Sequence, residues 1–420
     1  MRIHETKDPH ETVDSLQRLS ADSEENNADH HLGKNNKDET DRPLKSASVT
    51  RWDVVFLSFS IITHIFDIGA DINLAVRYCI DNKITYFALT IAFIIFPTFV
   101  NTFISFRMND NDLQRKACCI IVLLFQLGPV LRYLDSLRYA LMARSCKRKG
   151  DREGQQRYYL KMLKEDQDVA LLRVFECFLE SAPQQILQLT ILLITENNLS
   201  LQLAHQIISI CSSLVSMGWS MASYHRTIRL AQHNKPNISL IGTVLQFIWH
   251  FCVTVSRILA ISVLASIRPL YVALACALHW TAMTTWLVSE PHGVADFCRD
   301  VENPPYTPLT LRERFRSALF AGVLGIVYIF TYLNPSEGRT FVRHLFYYAL
   351  CLIENATATV LWAMYADPDT TKKKWYFEFL ITLCTVPFCI GIASMILYYM
   401  FFHPTTKRKT CPPEQVTVTS

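Results

Sequence analysis

Six ionisable residues stand inside stretches that otherwise read as membrane-spanning: Asp67, Asp71, Glu176, Glu180, Arg257 and Glu354. A charge at the centre of a bilayer costs roughly 2.5 to 3.5 kcal/mol on insertion scales. Six together reach the roughly 5 to 15 kcal/mol of net stability of an ordinary fold, so they must pair or face water. Asp53 joins two of them on one helix face: at about 100° per residue, Asp53, Asp67 and Asp71 fall within roughly 40° of one another. At about 1.5 Å per residue the three span roughly 27 Å, close to the roughly 30 Å hydrocarbon core. Such a stripe can lead polar groups across most of a membrane. The same residues also suit a structural salt-bridge network between packed helices.

The elements that must position these charges are long apolar runs. The chain has 420 residues, half of them hydrophobic and 19% charged, and its apolar residues come in stretches too long for a soluble core, so the expectation is an all-α polytopic membrane protein. Residues 1–50 differ: 7 Lys/Arg stand against 11 Asp/Glu, leaving a basic remainder of 34 against 26. This acidic opening, lacking a basic and apolar leader pattern, reads as a disordered cytoplasmic tail. The 13 cysteines are scattered without zinc or disulfide spacing, as expected of neither a metal site nor a bridged secreted fold. His64, His205, His250 and His279 have no ligand spacing and read as helix-interface residues. No phosphate-binding loop, zinc-protease helix or nucleophile elbow is present. The reading is therefore of a protein that is not an enzyme, uses no cofactor and binds no nucleic acid.

Ten apolar segments run at about 54–80, 84–106, 117–142, 168–195, 199–225, 237–265, 268–290, 317–333, 341–366 and 375–402. Basic residues concentrate in cytoplasmic loops, and those around Arg107, Arg115 and Lys116 and across residues 144–164 are the clearest candidates. Only the third segment separates them, so it should be re-entrant, broken at Gly128-Pro129. A repeat supports this: Cys177-Phe178-Leu179-Glu180-Ser181-Ala182 resembles Cys351-Leu352-Ile353-Glu354-Asn355-Ala356 at an offset of 174 residues. The same offset carries segment three near segment eight, giving eight transmembrane helices plus two re-entrant helices in two pseudo-symmetric repeats, with both termini cytoplasmic. The boundaries are a tail at 1–50, repeats at 51–226 and 227–402, and a short cytoplasmic tail at 403–420. A re-entrant segment ten, broken at Pro387, is the alternative, because it would move Lys372 to Lys374 inside.

Segment four places Glu176 and Glu180 one turn apart on one face, with Pro183 just beyond as a helix break that frees a carbonyl. This stretch, with Tyr224-His225-Arg226, Ser256-Arg257, Pro269 to Leu274 and Asn334 to Thr340, resembles the XK-related membrane protein family, in order from about residue 52 to 404. The resemblance implies a plasma-membrane phospholipid scramblase that exposes phosphatidylserine during apoptosis. It carries the family's intramembrane charges onto Asp53, Asp67, Asp71, Glu176, Glu180 and Arg257, with Glu354 at an acidic position of the second half. Ser223 stands where a scrambling member has an aspartate. Arg257 is the expected phosphate partner, with the acids taking ammonium groups.

Asp38-Glu39-Thr40-Asp41 fits the D-x-x-D pattern that an executioner caspase cuts after its last aspartate. A nematode member resembles this arrangement in being cut near its N-terminus, whereas the tail after 403 has no aspartate. Cutting after Asp41 would release an acidic segment able to lie on the basic 144–164 region. The expected partners are membrane phospholipids, the caspase, and a single-span chaperone subunit or a lipid-transfer protein. Two other functions compete: a non-conducting scaffold that recruits a lipid-transfer protein, and a secondary transporter of a small zwitterion.

Overall fold

A computed structural model describes Val49 and residues 51–108, 128–195, 201–231, 238–290, Val294, Cys298, Arg299, and residues 308–333, 340–366 and 376–403; at Asp53 and a few other helix positions it describes the backbone alone. The expected cleavage site at Asp38 and Asp41, the first part of segment three, and Lys372 to Lys374 lie outside these residues.

The described residues form helices: α1 Arg51–Ile80, α2 Ile84–Met108, α3 Gly128–Lys149, α4 Arg152–Glu176, a π turn Cys177–Ser181, α5 Ala182–Ile194, α6 Leu201–Ala231, α7 Leu240–Ile267, α8 Pro269–Ser289, α9 Leu311–Val327, α10 Thr340–Tyr365, and α11 Phe377–Leu397 with a terminal π turn Tyr398–Phe402. Seven stretches are long and apolar enough to cross a membrane: Ile84–Ile104, Arg152–Ile194, Gln206–Leu230, Leu240–Ile267, Pro269–Ser289, Val342–Tyr365 and Phe377–Phe402. The charged α1 is not among them, although its 30 residues are long enough. Outward threonines behave as lipid contact requires. Thr281, Thr285, Thr357, Thr382 and Thr385 each donate to the carbonyl four residues back, so none of these five hydroxyls is left to an apolar solvent. The chain is a multi-pass membrane protein.

The central element is α7. Its most apolar window is 83% buried, against 17% for α8, and it packs on α5, α6, α8, α10 and α11. Gly391 lets α11 approach closely: a Cβ there would lie 2.8 Å from Val253 Cγ2 and 3.0 Å from the Trp249 carbonyl oxygen.

The basic region at 144–164 was expected as a loop, and this is corrected: it is a helical hairpin. α3 runs on to Lys149, Gly150 turns the chain with a φ of 76°, and Asp151 caps α4 by accepting from the Gly154 N–H. The hairpin is held by Arg132 pairing with Glu165 (3.2 Å) and Asp168 (2.6 Å), by a Ser136–Asp166 hydrogen bond, and by Tyr139 stacked on Tyr158. Ala140, Ala143, Met162 and Leu163 form a small apolar core that also buries Val49, the residue just before α1. From Arg152 the helix continues through the π turn to Ile194, 43 residues in all. At about 1.5 Å per residue that is roughly 65 Å, twice the hydrocarbon core of about 30 Å, so the hairpin stands out of the bilayer.

The ends of the helices fix two faces. Val49 and the hairpin lie on the near face, from which α1 runs away and α2 returns. After α4–α5, α6, α7 and α8, the chain is again at the near face at Ser289. Glu290 there pairs with Arg343 at the start of α10. Between these two near-face points in the sequence stands α9. The 17 residues of α9 end among buried groups: Tyr328, Phe330, Thr331, Tyr332 and Leu333 are all buried. α11, by contrast, is unbroken through Pro387. This geometry favours segment eight over segment ten as the re-entrant element.

Candidate functional site

Among the described residues, the intramembrane charges fall into two clusters. The first lies between α1 and α4. Arg173 Nη1 donates to Glu176 Oε1 at 2.7 Å, and Arg173 Nη2 donates to Asp67 Oδ2 at 3.3 Å. His64 Nδ1 lies 3.1 Å from both Arg173 Nη1 and Glu176 Oε1. One turn along α1, Asp71 lies against Glu180 and Gln184. The fold brings these groups together because α1 rests on α2 and α3 and meets α4 through the Arg173–Asp67 contact; the seam between α1 and α4, with Asp67 and Asp71 on one side and Glu176 and Glu180 on the other, is termed the cleft.

Two features distinguish this cleft. It opens outward, with the Asp67 side chain 45% exposed. It is also rich in acid: four carboxyl groups face one guanidinium. Within it, Glu176 Oε2 is buried and has no protein donor among the described residues. Buried polar atoms left open in this way are accounted for by water or by a polar ligand.

The π turn sets the spacing of the two glutamates. Glu176 ends α4 and Glu180 sits in the turn, whose closing bond runs from the Ala182 N–H to the Cys177 carbonyl, five residues back. Pro183 follows it with no N–H to offer the regular ladder. The expected break at Pro183 is thus a wide turn inside a continuous helix. Pro129 is the second residue of α3 and buried. Asp53 lies in the first turn of α1, its side chain outside the described residues.

The second cluster is closed. Arg257 Nε donates to the Ile329 carbonyl at 2.7 Å, Nη1 to Asn355 Oδ1 at 2.9 Å, and Nη2 to Glu354. His279 lies between Glu354 (2.9 Å) and the Tyr328 carbonyl (2.9 Å), which also accepts from the Tyr347 hydroxyl at 2.7 Å. Asn355 in turn donates to Ser256, which donates to the Cys384 carbonyl. The last carbonyls beyond α9 would be orphaned inside a membrane; Arg257, His279 and Tyr347 satisfy them. Arg257, expected to meet lipid phosphate, stands with its side chain 5% exposed and each of its three nitrogens engaged inside the protein. The cation of the open cleft is Arg173, which the sequence reading passed over. Its signal was present, since Arg173 lies three residues before Glu176 in segment four. His64 and His279 are interface residues, as read, but each sits within a charge cluster.

A family model described as "XK-related protein" matches residues 55–404. Among characterised relatives, "Cell death abnormality protein 8" of Caenorhabditis briggsae is 25% identical over 398 residues, covering 88% of this chain and 82% of that protein. The protein of the same name from Caenorhabditis elegans is 26% identical over 398 residues, with the same shares covered.

Proposed function

Since the chain belongs to the XK-related family, we propose that it is an energy-independent phospholipid scramblase whose head-group path is the acid-rich cleft between α1 and α4–α5, and that it acts in cell death as its relatives' names indicate. The observation that carries this reading is the lateral exposure of Asp67 beside a buried, undonated Glu176 Oε2. A head group entering there replaces lost hydration with carboxylates for its ammonium and Arg173 for its phosphate, while acyl chains stay in the lipid. Staggered acids on two walls bind weakly in several places, which suits passage better than one tight site. Arg257 and Glu354 act as the clamp that holds α9 in place.

The exposed lipid is phosphatidylserine, and the site of action is the plasma membrane. In this reading the chain makes eight traverses, α1 among them, with the hairpin and both termini in the cytoplasm, where basic residues are favoured. An executioner caspase cutting after Asp41 switches the protein on, and a single-span subunit is a candidate companion. The test is dithionite bleaching of fluorescent phospholipid in liposomes holding the purified protein. Bleaching beyond the outer-leaflet share, without ion gradient or nucleotide, supports the reading. No bleaching in either the intact or the cut form would shift the assignment to a scaffold, and gradient-driven solute uptake would shift it to a transporter.

A further inference from the structure

The face of α1 turned away from the cleft carries a pattern of its own. Ile62, Phe66, Gly69, Asn73, Val76 and Ile80 follow one another at intervals of four, three, four, three and four residues. The four apolar members are 47% to 75% exposed, and Gly69 and Asn73 are exposed as well. At about 100° per residue the six fall within roughly 80° of one another, while Asp67 and Asp71 stand roughly 140° to 180° from the middle of this ridge. From Ile62 to Ile80 the ridge runs roughly 27 Å at about 1.5 Å per residue, close to the thickness of the hydrocarbon core. Alternating steps of four and three keep one side of a helix facing a second helix along its length. α1 rests on α2 and α3 by other sides, so among the described residues this ridge has no helix against it.

Two of its members fit a helix better than lipid. A Cβ added at Gly69 would meet nothing within 4 Å, so packing inside the chain does not call for glycine there. With Ile62, Ile65, Phe66, Ala70 and Asn73 it lines a groove of about 590 Å³, and small residues at such a place let two helix backbones approach closely. Asn73 stands seven residues, about 10 Å, from the end of α1, and its amide has no hydrogen-bond partner among the described residues. An amide at that depth in hydrocarbon is satisfied across a helix–helix contact.

The same residues indicate which helix. Copies of one chain inserted in one membrane share an orientation, so their α1 helices meet in parallel, and a two-fold axis along the membrane normal sets each ridge residue opposite its own copy. An amide carries both a donor and an acceptor, so Asn73 complements itself. One Asn in an otherwise apolar ridge of this period also fixes register and a paired state. The exposed apolar side chains, at roughly 60 to 120 Å² each, offer about 600 to 1,200 Å² over two copies, the low end of specific contacts. Reversible pairing follows from that size.

We propose that α1 is the contact helix of a parallel homodimer, crossing its copy at Gly69 and joined by paired Asn73 amides. The cleft acids lie on the opposite side of α1, so both clefts stay open. The proposal rests on α1 crossing the bilayer, as in the reading above, and not on lipid movement.

The test is single-molecule photobleaching of fluorescently tagged full-length protein in liposomes at low protein density, counting bleaching steps. The unaltered chain should give two-step spots beyond chance co-occupancy. Gly69→Leu, monodisperse because its side chain meets nothing inside the chain, should lower their share about tenfold by filling the groove, and Asn73→Leu about fivefold. Benzoylphenylalanine placed at position 66 should cross-link two copies on illumination, and at position 274, exposed on α8, should not. One-step spots throughout, or pairing untouched by both substitutions, overturn the proposal. So does cross-linking of position 66 in cells to a different, single-span protein while the purified chain stays single. Labelling of Lys83, beyond the end of α1, from the same side as Lys149 removes the crossing of α1 and the dimer with it. Pairing that depends on Gly69 and Asn73 in protein that moves no lipid supports the dimer and overturns the scramblase reading alone.

Discussion

Arg173 bridges the two walls of the cleft, its Nη2 standing 3.3 Å from Asp67 Oδ2 on α1 while its Nη1 holds Glu176 on its own helix at 2.7 Å. On the proposed scramblase reading, this pair is the contact a passing phosphate would have to replace. Removing Asp67 as a charge opens the wall but leaves Arg173 paired. For Asp67→Asn, at 45% exposure, stability should change by less than about 1 kcal/mol. Lipid transfer should fall about tenfold, the rate equivalent of about 1.4 kcal/mol. Parallel thermal unfolding in detergent and liposome bleaching check both halves of the prediction.

Arg173→Gln should behave differently. It leaves Glu176, a buried carboxylate, without its cation, and breaking a buried pair costs about 3 to 5 kcal/mol. Both the unfolding temperature and lipid transfer should drop, and Arg173→Lys should restore most of the stability and only part of the transfer, because an ammonium cannot hold Asp67 and Glu176 with two separate nitrogens.

Arg257→Ala should fail at the level of folding. Its guanidinium satisfies the Ile329 carbonyl and binds Asn355 and Glu354 from within the core, and the loss of about 3 to 5 kcal/mol should appear as aggregated protein on size exclusion. A monodisperse Arg257→Ala protein that has lost lipid transfer alone would return this residue to the path.

Gly391→Ala serves as a control remote from the cleft. The added methyl meets Val253 Cγ2 at 2.8 Å and the Trp249 carbonyl at 3.0 Å, overpacking the α7–α11 contact by about 1 to 3 kcal/mol. The unfolding temperature should fall while transfer per folded molecule is unchanged.

Much of this architecture was legible before any geometry. The apolar runs located the crossing helices because burial in lipid demands long continuous stretches, and Asp67, Asp71, Glu176 and Glu180 stood out because their cost in a membrane has to be offset. The α3–α4 hairpin was missed for the complementary reason. Its helices are stabilised by Arg132 with Glu165 and Asp168 and by Tyr139 on Tyr158, pairings between charged and aromatic residues that leave no apolar periodicity. The π turn at Cys177–Ser181 was equally silent, since Pro183 signals a disturbance without its kind. Which acid meets which base depends on how helices pack, so Arg257 was matched to the acids of the first half when its partners lie in the second.

The most direct test of the central claim is dithionite bleaching of fluorescent phosphatidylserine in liposomes holding the protein cut after Asp41, compared with the same cut protein carrying Asp67→Asn and Asp71→Asn and shown to be folded. The account predicts bleaching well past the outer-leaflet half for the first and bleaching held near that half for the second. Equal bleaching by the two proteins would contradict the assignment of the α1–α4 cleft as the path.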